Sequence, residues 1–317
     1  MANLAIVKKE KYTTMLAVLT RAGCFISIII IGYTLRRIGF FKPEDFHVLA
    51  KIVLKITLPA AIIANFEGME ISPALLTISL LGLGGGILYI LLGFVLNMRS
   101  TRKQKAFDVL NMSGYNIGNF TMPFAQSFLG PAGVITTSLF DVGNAIICLG
   151  GAYAVANSVQ NGETRISPVS ILKTASKSIA FDTYIIMTVV CLLHISLPKP
   201  VYQLADIISG ANAFLAMLMI GVGFKLSGDR SQFKSIFRIL VTRYSVSIIM
   251  ALVFYNLLPF AIEYRRALAV LCFAPIASAA PAFTADLKND IGLSSAINSM
   301  SIIISIISIV TVLLIIL

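Results

Sequence analysis

Two short segments hold the residues whose types and spacing could do chemistry. SGYNIGNFTMPF (113–124) crowds Gly114, Asn116, Gly118 and Asn119 ahead of Pro123, and APIASAAPAF (274–283) sets Ser278 between Pro275 and Pro281. Each lies inside a long apolar stretch. Proline has no N–H, and its ring clashes with the carbonyl four residues back, so a helix through either segment is expected to unwind or kink just before Pro123 and Pro281. The freed backbone groups can hydrogen-bond a ligand. Half-helices starting at the two prolines would aim their positive dipole ends at it. The chemistry is non-covalent: a small anion held by N–H groups, with Asn116, Gly118, Asn119, Pro123, Pro275, Ser278 and Pro281 as the substrate-binding set. Simple packing kinks are the alternative for either proline taken alone.

A second set stands in FDVGNAII, where Asp141 and Asn144, three residues apart, share one helix face. Charge inside an apolar span is expensive and usually serves a purpose. Two readings stay open: a site for a coupling cation or proton, and a hydrogen bond to a neighbouring span. Asp182, Asp206 and Arg243 read as internal ion pairs or interfacial side chains, and His194 as an interfacial side chain at a span end. Asp108 and Asn111 lead into the first segment as gate residues. Gly82, Gly84, Gly85 and Gly86 have no preceding strand and no following Lys-Ser or Lys-Thr, so close helix packing explains them better than a phosphate loop. Covalent chemistry finds no footing: HExxH, GxSxG and paired histidines are absent, and the four cysteines stand singly. The expectation is no enzyme, no metal and no cofactor.

These residues need elements to position them, and composition says in which solvent. Of 317 residues, 57% are hydrophobic and 12% charged, and mean hydropathy is +0.90, far above a soluble domain. The partner is the lipid bilayer. Lys and Arg outnumber Asp and Glu by 25 to 14, but they sit in gaps between apolar runs, which disfavours nucleic acid. With about 20 apolar residues needed to cross the hydrocarbon core, spans are expected near 14–38, 47–66, 72–97, 104–127, 131–157, 178–197, 199–226, 236–259, 266–287 and 293–317, after a leader of 13 residues.

The polar stretch NSVQNGETRISP (157–168) divides the ten spans into two groups of five: 1–157, a linker 158–177, and 178–317. Five is odd, so duplicated halves would insert upside down, the inverted repeat of secondary transporters. PFAQSFLGPAG after the first proline segment and PAFTADLKNDIG after the second support the pairing. Sixteen basic residues, among them Arg36, Arg165, Lys173, Lys177, Lys225 and Arg230, fall in the connections on one side, against seven on the other. The positive-inside bias places both termini outside the cytoplasm of a multi-pass cell (inner or plasma) membrane protein.

YNIGNFTMPF with FLGPAG, GYTLRRIGFF (32–41), ITLPA (56–60) and APIASAAPAFTADL, in this order and spacing, resemble the auxin efflux carrier family, PIN-like carriers with short bacterial relatives. The resemblance covers nearly the whole chain from about residue 14. It implies an all-α membrane fold of ten helices in two inverted five-helix repeats, with helices 4 and 9 broken and crossing at Pro123 and Pro281. Helices 1, 2, 6 and 7 would form a scaffold, and the rest would carry a small carboxylate substrate across. Asn116 falls where the family's substrate-contacting asparagine falls. The long cytoplasmic insert of plant members is absent, which matches the short bacterial type. A homodimer is also within what the resemblance implies. Outside this family, a sodium-coupled bile-acid-type symporter and a channel or sensor remain alternatives.

Overall fold

A peptide group in hydrocarbon finds no water, so a membrane chain closes its own backbone hydrogen bonds, and a helix does so within one segment. Among the described residues the chain is all helix, with no strand. The computed structural model describes residues 2–69, 72–162, 178–224 and 232–317, together with Val169, Ile171 and Ser176, with side chains from Met15 onward. Most of the linker expected at 158–177 lies outside the described residues. So do Arg165, Lys173, Lys177, Lys225 and Arg230 of the orientation argument.

The helices are α1 (Ala2–Arg37), α2 (Asp45–Asn65), α3 (Pro73–Val95), α4 (Arg102–Met112), α5 (Met122–Phe128), α6 (Gly130–Asn161), α7 (Ile179–Leu192), α8 (Lys199–Gly223), α9 (Phe233–Leu257), α10 (Ile262–Leu271), α11 (Ala280–Asp286) and α12 (Ile291–Ile316). Among the described residues, seven are long and apolar enough to cross a membrane: Met15–Arg37 of α1, then α2, α3, α6, α8, α9 and α12. The three other expected spans differ. Those at 104–127 and 266–287 are each divided in two by a break, and the one at 178–197 is the 14-residue α7. The expected leader is not a separate segment either, because α1 is helical from Ala2.

Two close contacts fix the frame. α3 lies on α6 where Gly82 meets Gly143: a Cβ on Gly82 would fall on the Phe140 carbonyl, and one on Gly143 on the Ser79 carbonyl. Ser79 Oγ donates to the Leu139 carbonyl at 2.8 Å across the same contact. α1 and α8 meet likewise through Gly32 and Gly221. Small residues let helices approach until dispersion and interhelical hydrogen bonds hold them without a hydrophobic drive. Of the glycine run in α3, Gly84 faces open space, so packing does not explain that member.

Gly143→Val should lower the thermal midpoint in detergent, since overpacking a tight contact costs roughly 1–3 kcal/mol. An unchanged midpoint in differential scanning fluorimetry would mean that α3 and α6 do not meet there.

Candidate functional site

Helix α4 stops at Met112, and the chain runs without helical hydrogen bonds through Ser113–Asn116 before it coils again at Ile117. The unwinding therefore lies a turn and a half before Pro123, not just before it. The reason is local. Ile117–Thr121 forms a wide π turn leading into α5, which moves the carbonyls ahead of the proline away from its ring. α2 repeats the device, with a π turn at Val53–Thr57 ahead of Pro59. Gly114 turns the chain with φ +73°, a conformation open to glycine. In the second segment α10 ends at Leu271, Ala274–Ala277 has no regular secondary structure, and Pro281 stands in the first turn of α11, as its position predicted.

The two breaks touch. Asn116 N–H donates to the Pro275 carbonyl at 2.8 Å. Several other freed groups near that contact are met by side chains from neighbouring helices. Arg243 of α9, fully buried, donates Nη1 to the Met112 carbonyl and Nη2 to the carbonyls of Gly114 (2.8 Å) and Ala274 (3.2 Å). Its guanidinium also lies over the rings of Tyr89 (4.5 Å) and Tyr115 (5.0 Å). Asn144 of α6 clamps Tyr115, accepting from its N–H at 2.9 Å and donating to its carbonyl at 2.8 Å. Asn298 of α12 donates to the carbonyls of Ile276 and Ala277 at 3.1 and 3.2 Å, and Ser301 Oγ accepts from Ile276 N–H at 3.2 Å.

Among the described residues Arg243 has no ion-pair partner and is buried rather than interfacial, which corrects the sequence reading; its partners are backbone carbonyls. Asp206 and His194 are exposed and Asp182 half-buried. Asp108 is not a free gate residue. It is buried, forms the ion pair with Arg238 of α9, and accepts from Asn97 Nδ2 (2.6 Å) and Gln104 Nε2 (2.7 Å). Asn111 is tied to Ser294 and to Thr284 Oγ1 (3.2 Å), joining α4 to α12 and α11.

The meeting point divides two cavities that share Asn116 and Ser278. One, of about 270 Å³, is bordered by Pro281, Asn298 and Arg36. The other, of about 140 Å³, is bordered by Gly118, Asn119, Asp141 and Asn144. Asn119 Nδ2 reaches Ser278 Oγ at 3.5 Å, while its Oδ1 is buried with no hydrogen-bond partner among the described residues. Asp141 accepts from Asn144 Nδ2 at 2.8 Å. Pro123 and Pro275 border neither cavity; Pro123 is buried in α5, and Pro275 contributes its carbonyl to the contact. The substrate set is brought together in part: Asn116, Gly118, Asn119, Ser278 and Pro281 at the cavities, and the two other prolines as their supports. Asn298 and Arg36 were not singled out from sequence. Asn298 carried a signal, a lone amide in an apolar run, that intramembrane polarity alone would have flagged.

A family model described as membrane transport protein matches residues 24–184, just over half of the chain. No curated protein matches.

Arg243→Met should destabilise the fold by about 3 kcal/mol or more, because hydrogen bonds to a charged group contribute about 1.5–3 kcal/mol each. Amide exchange should quicken at 113–116 and 274–278 before it does elsewhere. Uniform exchange across the chain would contradict this role.

Proposed function

The chain belongs to the membrane transport protein family, which includes the auxin efflux carriers, and from that premise we propose that it is a secondary carrier of a small carboxylate. The observation that carries the reading is the contact of two broken helices at Asn116 and Pro275, with a cavity on either side. Irregular backbone at membrane depth is tolerated where it is buried in protein or lines a wet cavity, and paired breaks are where such carriers bind solute. Asn116 takes the substrate in this reading, with Gly118, Asn119, Ser278 and Pro281 around it.

Taking α4 with α5 and α10 with α11 as single crossings, and α7 as a short one, supports ten crossings in two inverted groups of five. Both termini then lie outside the cytoplasm of a cell membrane. The braces Asn144, Arg243 and Asn298 come from α6, α9 and α12. These helices belong, in this reading, to the body that moves, while α1, α2, α7 and α8 form the scaffold. The crossing would travel intact past that scaffold, an elevator-like alternating access. The smaller cavity favours coupling: the Asp141 carboxylate and the unpartnered Asn119 oxygen are hard oxygen ligands suited to a cation. That observation also favours a second reading, a sodium-coupled symporter of the bile-acid type.

In a panel containing malonate, malate and indole acetate, at least one carboxylate should raise the thermal midpoint of the purified protein, with about 2.7 kcal/mol gained at a hundredfold excess over Kd. Asn116→Ala should melt like the native protein without ligand and lose that gain; unchanged affinity would remove Asn116 from the site. Exchanging sodium for choline separates the two readings. The symporter reading expects tighter binding in sodium for the native protein and no such gain in Asp141→Asn, and equal native affinity in both ions overturns it.

A further inference from the structure

Among the described residues, the larger cavity contains a cation with no acid to neutralise it. Arg36, in the last turn of α1, is half-buried, and its Nη1 donates to the carbonyls of Val222 (2.9 Å) and Phe224 (3.0 Å) at the end of α8. Its Nε and Nη2 make no hydrogen bond to any described residue, and no described Asp or Glu borders the cavity of about 270 Å³. Among the described residues the single ion pair is Arg238 with Asp108, which leaves Arg36 without one. Across Asn116 and Ser278 the arrangement is reversed: the smaller cavity is bordered by Asp141 and by no Lys or Arg.

Charge is therefore sorted to opposite sides of the meeting point, a cation on one and a carboxylate on the other. A guanidinium half withdrawn from water is costly unless paired. Its planar fork fits a carboxylate better than any other side chain does. The two carbonyl bonds explain the orientation of the group without using it up, since they engage one nitrogen of three.

We propose that Arg36 pairs the carboxylate of the carried solute in this cavity, with Asn116 and Ser278 contacting the solute's other polar group and Ile220 and Ile302 its apolar side. This rests on the reading of the chain as a carboxylate carrier. A cavity below about 300 Å³ is at the small end of ligand sites, so the solute is a short mono- or dicarboxylate rather than a bulky amphiphile.

The test uses malonate and its neutral diamide with the full chain in detergent. Arg36→Gln should weaken malonate binding by about 30-fold or more, leave the weak binding of the diamide unchanged, and give Arg36→Lys an intermediate affinity. Equal malonate affinity in Arg36→Gln and the native protein overturns the assignment while leaving the carrier reading in place, whereas no carboxylate binding to the native protein overturns both. Should Arg36→Gln fail to fold, native protein answers instead. Malonate should slow phenylglyoxal modification of Arg36, followed by site-resolved mass spectrometry, and the absence of protection by saturating malonate overturns the proposal.

Discussion

A helix broken inside packed protein releases carbonyls that water cannot reach, and the way Arg243 satisfies them is the interaction on which the rest of the structure depends. Each buried carbonyl left unpaired costs on the order of 1–3 kcal/mol, and a buried guanidinium left alone costs more. Each defect offsets the other: one side chain from α9 reaches the carbonyls of Met112, Gly114 and Ala274, on both breaks at once. No acid is required. The C-terminal ends of α4 and α10 each present roughly half a negative charge, and together they balance one cation. Tyr89 and Tyr115 add the negative faces of their rings.

With the outgoing ends locked, the segments beyond them are held at a defined separation. Asn116 can donate to Pro275 because Asn144 grips Tyr115 on one side and Asn298 grips Ile276 and Ala277 on the other. The meeting point becomes a thin wall between two cavities, and its polar surface belongs to Asn116 and Ser278. In the proposed carrier, groups set on a braced wall lose little freedom when a ligand arrives. The wall also couples its two sides, because Asn119 reaches Ser278 from the cavity that holds Asp141.

Much of this was legible in the sequence, and what was not has physical reasons. Apolar stretches and the two proline segments reveal spans and breaks, since length and the missing N–H are properties of the chain itself. Where the helix unwinds is not such a property: the π turn at Ile117–Thr121 displaced the break from Pro123 towards Gly114. The partner of Arg243 was misread because an intramembrane cation suggests an acid, and backbone carbonyls carry no signature in sequence. Arg36 reads in sequence as a topological charge at a helix end; only folding brings it to the same cavity as Asn116, 80 positions further along the chain. The leader expected ahead of the first span is part of α1, because polar residues do not by themselves end a helix.

The central claim is that the braced meeting point binds a solute and carries it, rather than opening a path through the membrane. Counterflow tests this most directly: labelled carboxylate outside proteoliposomes loaded with the unlabelled compound. The account predicts labelled uptake that rises transiently above equilibrium and saturates with concentration. An ohmic, unsaturating current with no counterflow would contradict it.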